Sequence, residues 1–188
     1  DLIIGAPGYN SNFGGVFIFL GGANMDNIAD VTLNGEAAGT NFGTSVSSAG
    51  DVNGDGFIDV IIGASSYNSN TGRSYLYYGG DPMNNIADVV MNGISSQSEF
   101  GISVSTAGDM NGDGFSDVIV GADGFFNLKG KAFIFLGASV MDNVIDATFI
   151  GDSIYSYIGN SVACAGDLNG DGYSDVIVGN STHLNSNL

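Results

Sequence analysis

Short apolar runs alternate with glycine-rich polar segments along the whole chain, and the alternation returns at a fixed interval. Asp1, Asp59, Asp117 and Asp175 stand 58 residues apart, with no insertion or deletion between them. Self-similarity at such a period marks a repeat architecture. Each interval resolves into four expected strands, none long enough or of the right period for a helix. The first covers 45–49, 103–107 and 161–165 and is built of small residues, which suits a crowded inner position. The second covers 2–4, 60–62, 118–120 and 176–178 and is apolar throughout, the pattern of a strand buried on both faces. The third covers 16–20, 74–78 and 132–136. Its aromatic residues Phe17, Tyr75 and Phe133 recur in phase, as do Phe19, Tyr77 and Phe135, and they are expected in the core. The fourth covers 31–33, 89–91 and 147–149, each followed after one residue by Gly35, Gly93 or Gly151. The segment beginning at Met25 and ending at Asp30 recurs at 83–88 and 141–146 and reads as a structured loop.

Four strands per unit, glycine turns and this period predict an all-β fold of β-propeller-type blades, each of four antiparallel strands. The chain divides into a partial blade with the first strand of the next (1–50), two full repeats (51–108 and 109–166) and the start of another (167–188). A ring takes roughly four to eight blades. The sequence is therefore too short to close one alone and reads as a window on a longer array.

Between the first and second strand of each repeat lies Asp-x-Asn-Gly-Asp-Gly-x-x-Asp. Oxygen-bearing side chains occupy alternate positions: Asp51, Asn53, Asp55 and Asp59; Asp109, Asn111, Asp113 and Asp117; Asp167, Asn169, Asp171 and Asp175. A curled loop of this spacing can turn them toward one point. Calcium takes about six to eight oxygen ligands, and backbone carbonyls contribute to such shells. The carbonyls of Phe57, Phe115 and Tyr173 are the expected backbone ligands. Asp1 is read as the last ligand of a truncated fourth loop. An EF-hand would need a glutamate at its twelfth position, where Ile62, Val120 and Val178 stand. Each loop feeds a strand, so it belongs to a different calcium-binding class. A metal-free Asn-Gly or Asp-Gly turn is the alternative, and it does not require three acids in phase.

Charge narrows the partners. Twenty acids and three bases give a formal net charge of −17. Three Ca²⁺ ions would leave about −11. Such a surface repels nucleic-acid backbones and anionic lipid, and no apolar run is long enough for membrane insertion. Arg73, Lys129 and Lys131 all lie at the start of the third strand, placed for solubility or for an acidic neighbour. Cys164 is the single cysteine, with Thr106 and Ser48 at its equivalent positions, and reads as a small strand residue. His183 is the single histidine and reads as a surface residue, so neither a histidine zinc site nor a catalytic triad has support. Asn180-Ser181-Thr182 is an acceptor pattern for N-glycosylation.

Further residues carry a resemblance. Phe42-Gly43 and Phe100-Gly101 precede the first strand, and Gly5-Ala6-Pro7 ends the second. With the acid-glycine loop they resemble FG-GAP repeats, the blades of the integrin α-subunit propeller and of secreted or surface-attached microbial proteins. Departures are Ile158-Gly159, Gly63-Ala64-Ser65, Gly121-Ala122-Asp123 and Gly179-Asn180-Ser181. The resemblance implies propeller blades with calcium in the loop between strands one and two. The strict period is closer to the microbial members, and no elaborated loop marks an integrin-like ligand site. The expected function is a non-catalytic, calcium-stabilised extracellular adhesion or scaffold module, at the cell surface or in the extracellular matrix, with a protein or glycan partner. Alternatives are self-assembly through blade edges into an extracellular filament, and an accessory repeat region of a secreted hydrolase.

Overall fold

The computed structural model describes residues 1–23 and 26–181. Its strands form antiparallel sheets in chain order. The first sheet is β1 (Leu2–Ala6), β2 (Gly15–Phe19) and β3 (Val31–Asn34). The second is β4 (Phe42–Gly50), β5 (Asp59–Ala64), β6 (Arg73–Tyr77) and β7 (Val89–Asn92). The third is β8 (Ser103–Gly108), β9 (Asp117–Ala122), β10 (Lys131–Phe135) and β11 (Ala147–Ile150), and β12 (Ser161–Gly166) pairs with β13 (Asp175–Gly179). These are β-propeller blades standing side by side.

The core lies between blades, and strand periodicity puts it there. Side chains of a strand alternate between its two faces. Val60 and Ile62 pack with Val16, Ile18, Leu33 and Phe42 against the first blade. Ile61, between them, points the other way and packs with Val118, Val120 and Phe100 against the third. Ile119 and Ile134 repeat the alternation one blade on, with Val162. β5 and β9 are therefore buried over their whole length, as continuous apolar runs require. Tyr75, Tyr77, Phe133 and Phe135 are all at most 5 % exposed and belong to these interfaces. Phe42 and Phe100 plug the same seams, and their rings meet Tyr75 and Phe133 edge-on at 5.3 and 5.2 Å.

Glycines allow the inner strands to approach this closely. A Cβ on Gly63 would lie 1.9 Å from the Gly101 carbonyl oxygen, and one on Gly121 1.9 Å from that of Gly159. Ser45 and Ser103 donate their hydroxyls to the same two carbonyls at 2.8 and 2.7 Å. The small-residue composition of strand one thus serves backbone contact between blades. Cys164 sits in β12, partly buried and unoxidised.

The link from strand two to strand three differs from the sequence expectation of no helix. It is a single turn in each blade: α1 (Tyr9–Asn12), α2 (Tyr67–Asn70) and α3 (Phe125–Leu128). Its last three residues are left-handed, with φ between +44° and +68° across the three copies. Asparagine tolerates that region because its side chain bonds locally. The Asn-Ser-Asn runs at 10–12 and 68–70 were the available signal, but the third copy, Phe126-Asn127-Leu128, gives none. The loop between strands three and four is structured as expected. Asp26, Asn84 and Asp142 accept the N–H two residues on, each at 2.8 Å. Asp30, Asp88 and Asp146 close the loop's base by accepting the N–H of Leu20, Tyr78 and Leu136. Met25 lies outside the described residues.

The basic residues at the head of strand three find partners within the chain. Arg73 donates to Glu36, which follows β3 of the preceding blade, at 2.5 Å. It also donates to Asn92 at 2.8 Å and stacks 3.7 Å over the Tyr67 ring. Tyr75 donates its hydroxyl to the same Glu36 oxygen at 2.6 Å. In the next blade Ile94 replaces Glu36, and Lys131 instead lies 5.0 Å from the centres of the Phe125 and Phe133 rings. Glu36→Ala is expected to lower stability by about 1 kcal/mol, since the pair is partly solvated. Urea denaturation checks it, and the matched change Ile94→Ala supplies the apolar comparison.

Candidate metal centre

Three acid-glycine loops lie on one face, between strands one and two of successive blades. Their geometry is the same each time and follows from the sequence. A short acidic side chain bonds to backbone N–H groups just ahead of it and curls the chain around itself. Asp51 Oδ1 accepts from Gly54 and Asp55 at 2.7 and 3.1 Å, and its Oδ2 accepts from Gly56 at 2.9 Å. Asn53 Oδ1 accepts from Asp55, and Asp55 Oδ1 from Phe57, both at 2.9 Å. Asp109, Asn111 and Asp113 repeat this set. So do Asp167, Asn169 and Asp171. Gly54 and Gly112 have φ of +75° and +78°, and the Phe115 and Tyr173 rings of the following loop lie against them. The loops also bond to each other: Ser116 N–H donates to the Asp51 carbonyl and Ser174 N–H to that of Asp109, both at 2.9 Å.

The structure thus brings positions one, three and five together. Position nine stays close enough to feel the charges of positions one and five, and is also tied to the blade. Asp59 and Asp117 are fully buried at the head of strand two. Asp59 Oδ2 accepts the Val52 N–H at 2.7 Å, and its Oδ1 accepts the Gly79 N–H, from beyond strand three, at 2.8 Å. Asp117 does the same with Met110 and Gly137. Asp175 accepts from Leu168. Asp1 accepts the Gly21 N–H at 2.6 Å, the bond its position in the repeat demands. Asp59 and Asp117 are thus staples between loop and blade, a role that spacing alone does not reveal. Asn180 is exposed at the end of β13. Thr182 and His183 lie outside the described residues.

Among the described residues, no three aspartate, glutamate, histidine or cysteine side chains are gathered as an ion cage. Asn53 Nδ2 donates to Asp55 Oδ2 at 2.8 Å, and Asn111 and Asn169 do likewise to Asp113 and Asp171. The donor chemistry nevertheless fits a hard divalent cation. Every candidate ligand is an oxygen, and a carboxylate oxygen bonded to one N–H keeps a free lone pair.

Electrostatics separate the positions. Desolvation pushes the Asp59 carboxyl up to about 6, against the opposing pull of its two backbone N–H bonds; Asp55 and Asp51 add to the rise. Asp117 is raised for the same reasons. The N–H of Gly172, with those of Gly170, Asp171 and Asn169, holds the exposed Asp167 below the ordinary carboxylate range. An acid raised in the folded state binds its proton more tightly there than in the unfolded chain, whose value is about 3.9. Metal-free protein is therefore expected to gain about 1–2 kcal/mol as pH falls from 7 toward 4, and to lose it as pH rises through 6. Urea midpoints in chelator across that range test this, with Asp59→Asn flattening the slope.

Comparison with known proteins agrees with the geometry. The FG-GAP repeat pattern matches residues 42–77, 100–135 and 159–186. Integrin alpha-5 of Xenopus laevis is 34% identical over 82 residues, covering 39% of this chain and 8% of that protein. Integrin alpha-8 of Mus musculus is 34% identical over 79 residues, covering 38% and 7%. Integrin alpha-7 of Mus musculus is 39% identical over 75 residues, covering 38% and 6%. The chain spans less than a tenth of the length of these relatives. Three matched repeats, in phase with three blades and three loops, make this chain a member of the FG-GAP repeat family.

Proposed function

We propose that the chain is a calcium-stabilised, non-catalytic part of an adhesion or scaffold protein on the outside of the cell. The observation that carries the reading is the threefold recurrence of one loop geometry on one face, with each loop bonded to the next. Asp51, Asn53, Asp55 and the Phe57 carbonyl would hold the ion, with Asp59 contributing its remaining lone pairs. The same positions serve in the loops 109–117 and 167–175. Calcium supplies charge to a cluster of carboxylates and no reaction chemistry. To ligate it, Asp55 would give up the bond from the Asn53 amide. The integrin alpha relatives are consistent with an extracellular setting and a protein partner; a glycan is the other partner the reading allows. Among the described residues, no helix is long and apolar enough to cross a membrane.

Calorimetric titration of metal-free protein tests the metal. Saturable binding at each of the three loops, lost one loop at a time in Asp51→Asn, Asp109→Asn and Asp167→Asn, is the expected result. Antibody labelling of intact, unpermeabilised cells tests the location. An absence of calcium binding, or labelling only after permeabilisation, would overturn the corresponding half of the reading.

A further inference from the structure

The face opposite the loops carries its own pair of acids. There the links between blades pass beside the left-handed turns: the Glu99 N–H donates to the Asn70 carbonyl at 2.8 Å, and that of Tyr157 to Leu128 at 2.9 Å. Asp123 follows β9 in this region and is 8 % exposed. Its Oδ2 accepts the Asn160 amide at 2.9 Å, while its Oδ1 is buried with no hydrogen-bond partner. Glu99 is half-buried, and burial together with the Asp123 charge pushes its carboxyl above the ordinary range. A groove of about 410 Å³ opens beside Glu99, between Gln97 and Phe126.

The repeat shows that the fold does not require these acids. One blade earlier the equivalent residues are Asn41 and Ser65, and the Asn41 amide is satisfied by Ser66 at 2.9 Å. One blade later they are Tyr157 and Ser181. At this junction the backbone after Asp123 lies against the Gln97–Ser98 backbone, the Asp123 charge acts on Glu99, and one Asp123 oxygen is buried and unmet. The last two features are unfavourable without a counter-charge. The Asn160 amide fixes one edge of the Asp123 carboxylate, as an outer partner orients a ligand.

We propose that Glu99 and the free oxygen of Asp123 bind a hard divalent cation, completed by water from the groove, on the face opposite the acid-glycine loops. Two protein carboxylates make a weak site, with an expected Kd of about 10⁻⁴–10⁻³ M. The site stands independently of whether the loops bind calcium.

Titration with Ca²⁺ and with Mn²⁺ tests it, comparing the unaltered chain with Glu99→Gln, Asp123→Asn and the double exchange Glu99→Asn/Asp123→Ser. The double exchange installs the residues that the preceding blade already accommodates, which guards against a variant that fails to fold. Each is expected to bind one ion fewer, while Asp113→Ala loses a loop ion and keeps this one. In chelator the variants are expected to melt above the unaltered chain, and excess cation should reverse the order. Equal ion numbers in all four proteins would overturn the proposal. So would a Glu99 carboxyl that infrared spectroscopy shows protonated in saturating cation, because the pair would then be sharing a proton.

Discussion

Removing divalent cations is expected to lower the melting temperature by about 20 °C. Each loop sets two carboxylates, such as Asp51 and Asp55, on one curl, and their charges also act on the buried Asp59; this repulsion opposes folding when nothing neutralises it. A cation that binds only the folded form stabilises by about 2.7 kcal/mol per site at a hundredfold excess over Kd. A protein of this size shifts by roughly 2–4 °C for each kcal/mol. Three sites acting together give the stated fall. The loss should be unequal among sites. Loop 109–117 donates through Ser116 to the loop before it and accepts through Asp109 from the loop after it, both at 2.9 Å. Asp113→Ala therefore disturbs two seams, whereas Asp171→Ala disturbs the seam with one earlier loop. In a repeat array, stability is a sum of unit and neighbour terms, so Asp113→Ala is expected to destabilise more. Differential scanning calorimetry in chelator and in millimolar calcium measures both effects. Coincident melting curves in the two conditions would remove the structural role assigned to the metal.

Much of this arrangement was legible in the chain itself, because a strict period turns one observation into several. The alternation of Val60, Ile61 and Ile62 specifies a strand buried on both faces, and the seams between blades realise it. The acid-glycine spacing specifies a curled loop, and the side-chain-to-backbone bonds of Asp51, Asn53 and Asp55 are local enough to follow from it. What escaped reading depends on distant chain. Asp59 turns into the blade because the Gly79 N–H, twenty residues on, needs an acceptor. The Arg73 partner Glu36 is 37 residues away, and its place is taken by Ile94 one repeat on. The left-handed turn was readable where asparagine occupies it and unreadable at Phe126 and Leu128. There the fold imposes a conformation that costs a non-glycine residue about 1–2 kcal/mol.

Gly121→Ala is expected to destabilise by about 3 kcal/mol, the scale of overpacking a rigid core. The added methyl would stand 1.9 Å from the Gly159 carbonyl oxygen and 2.3 Å from the Ser103 hydroxyl. The obstacle is the backbone of a neighbouring blade, so no side-chain rotation relieves it. Two consequences follow together. The blades must separate along their inner strands, and the bond from Ser103 to Gly159, 2.7 Å in the intact seam, is lost. Gly63→Ala meets the same geometry one seam earlier, 1.9 Å from Gly101, and should behave alike. Gly22→Ala is the control, since nothing lies within 4 Å of the added atom. Denaturant midpoints give the stabilities, and hydrogen exchange gives the location. Amides of β8, β9 and β12 should lose protection first in Gly121→Ala, and those of β4, β5 and β8 in Gly63→Ala. If both variants match Gly22→Ala, the blades are held by their apolar faces alone, and the close approach of the inner strands contributes nothing to their order.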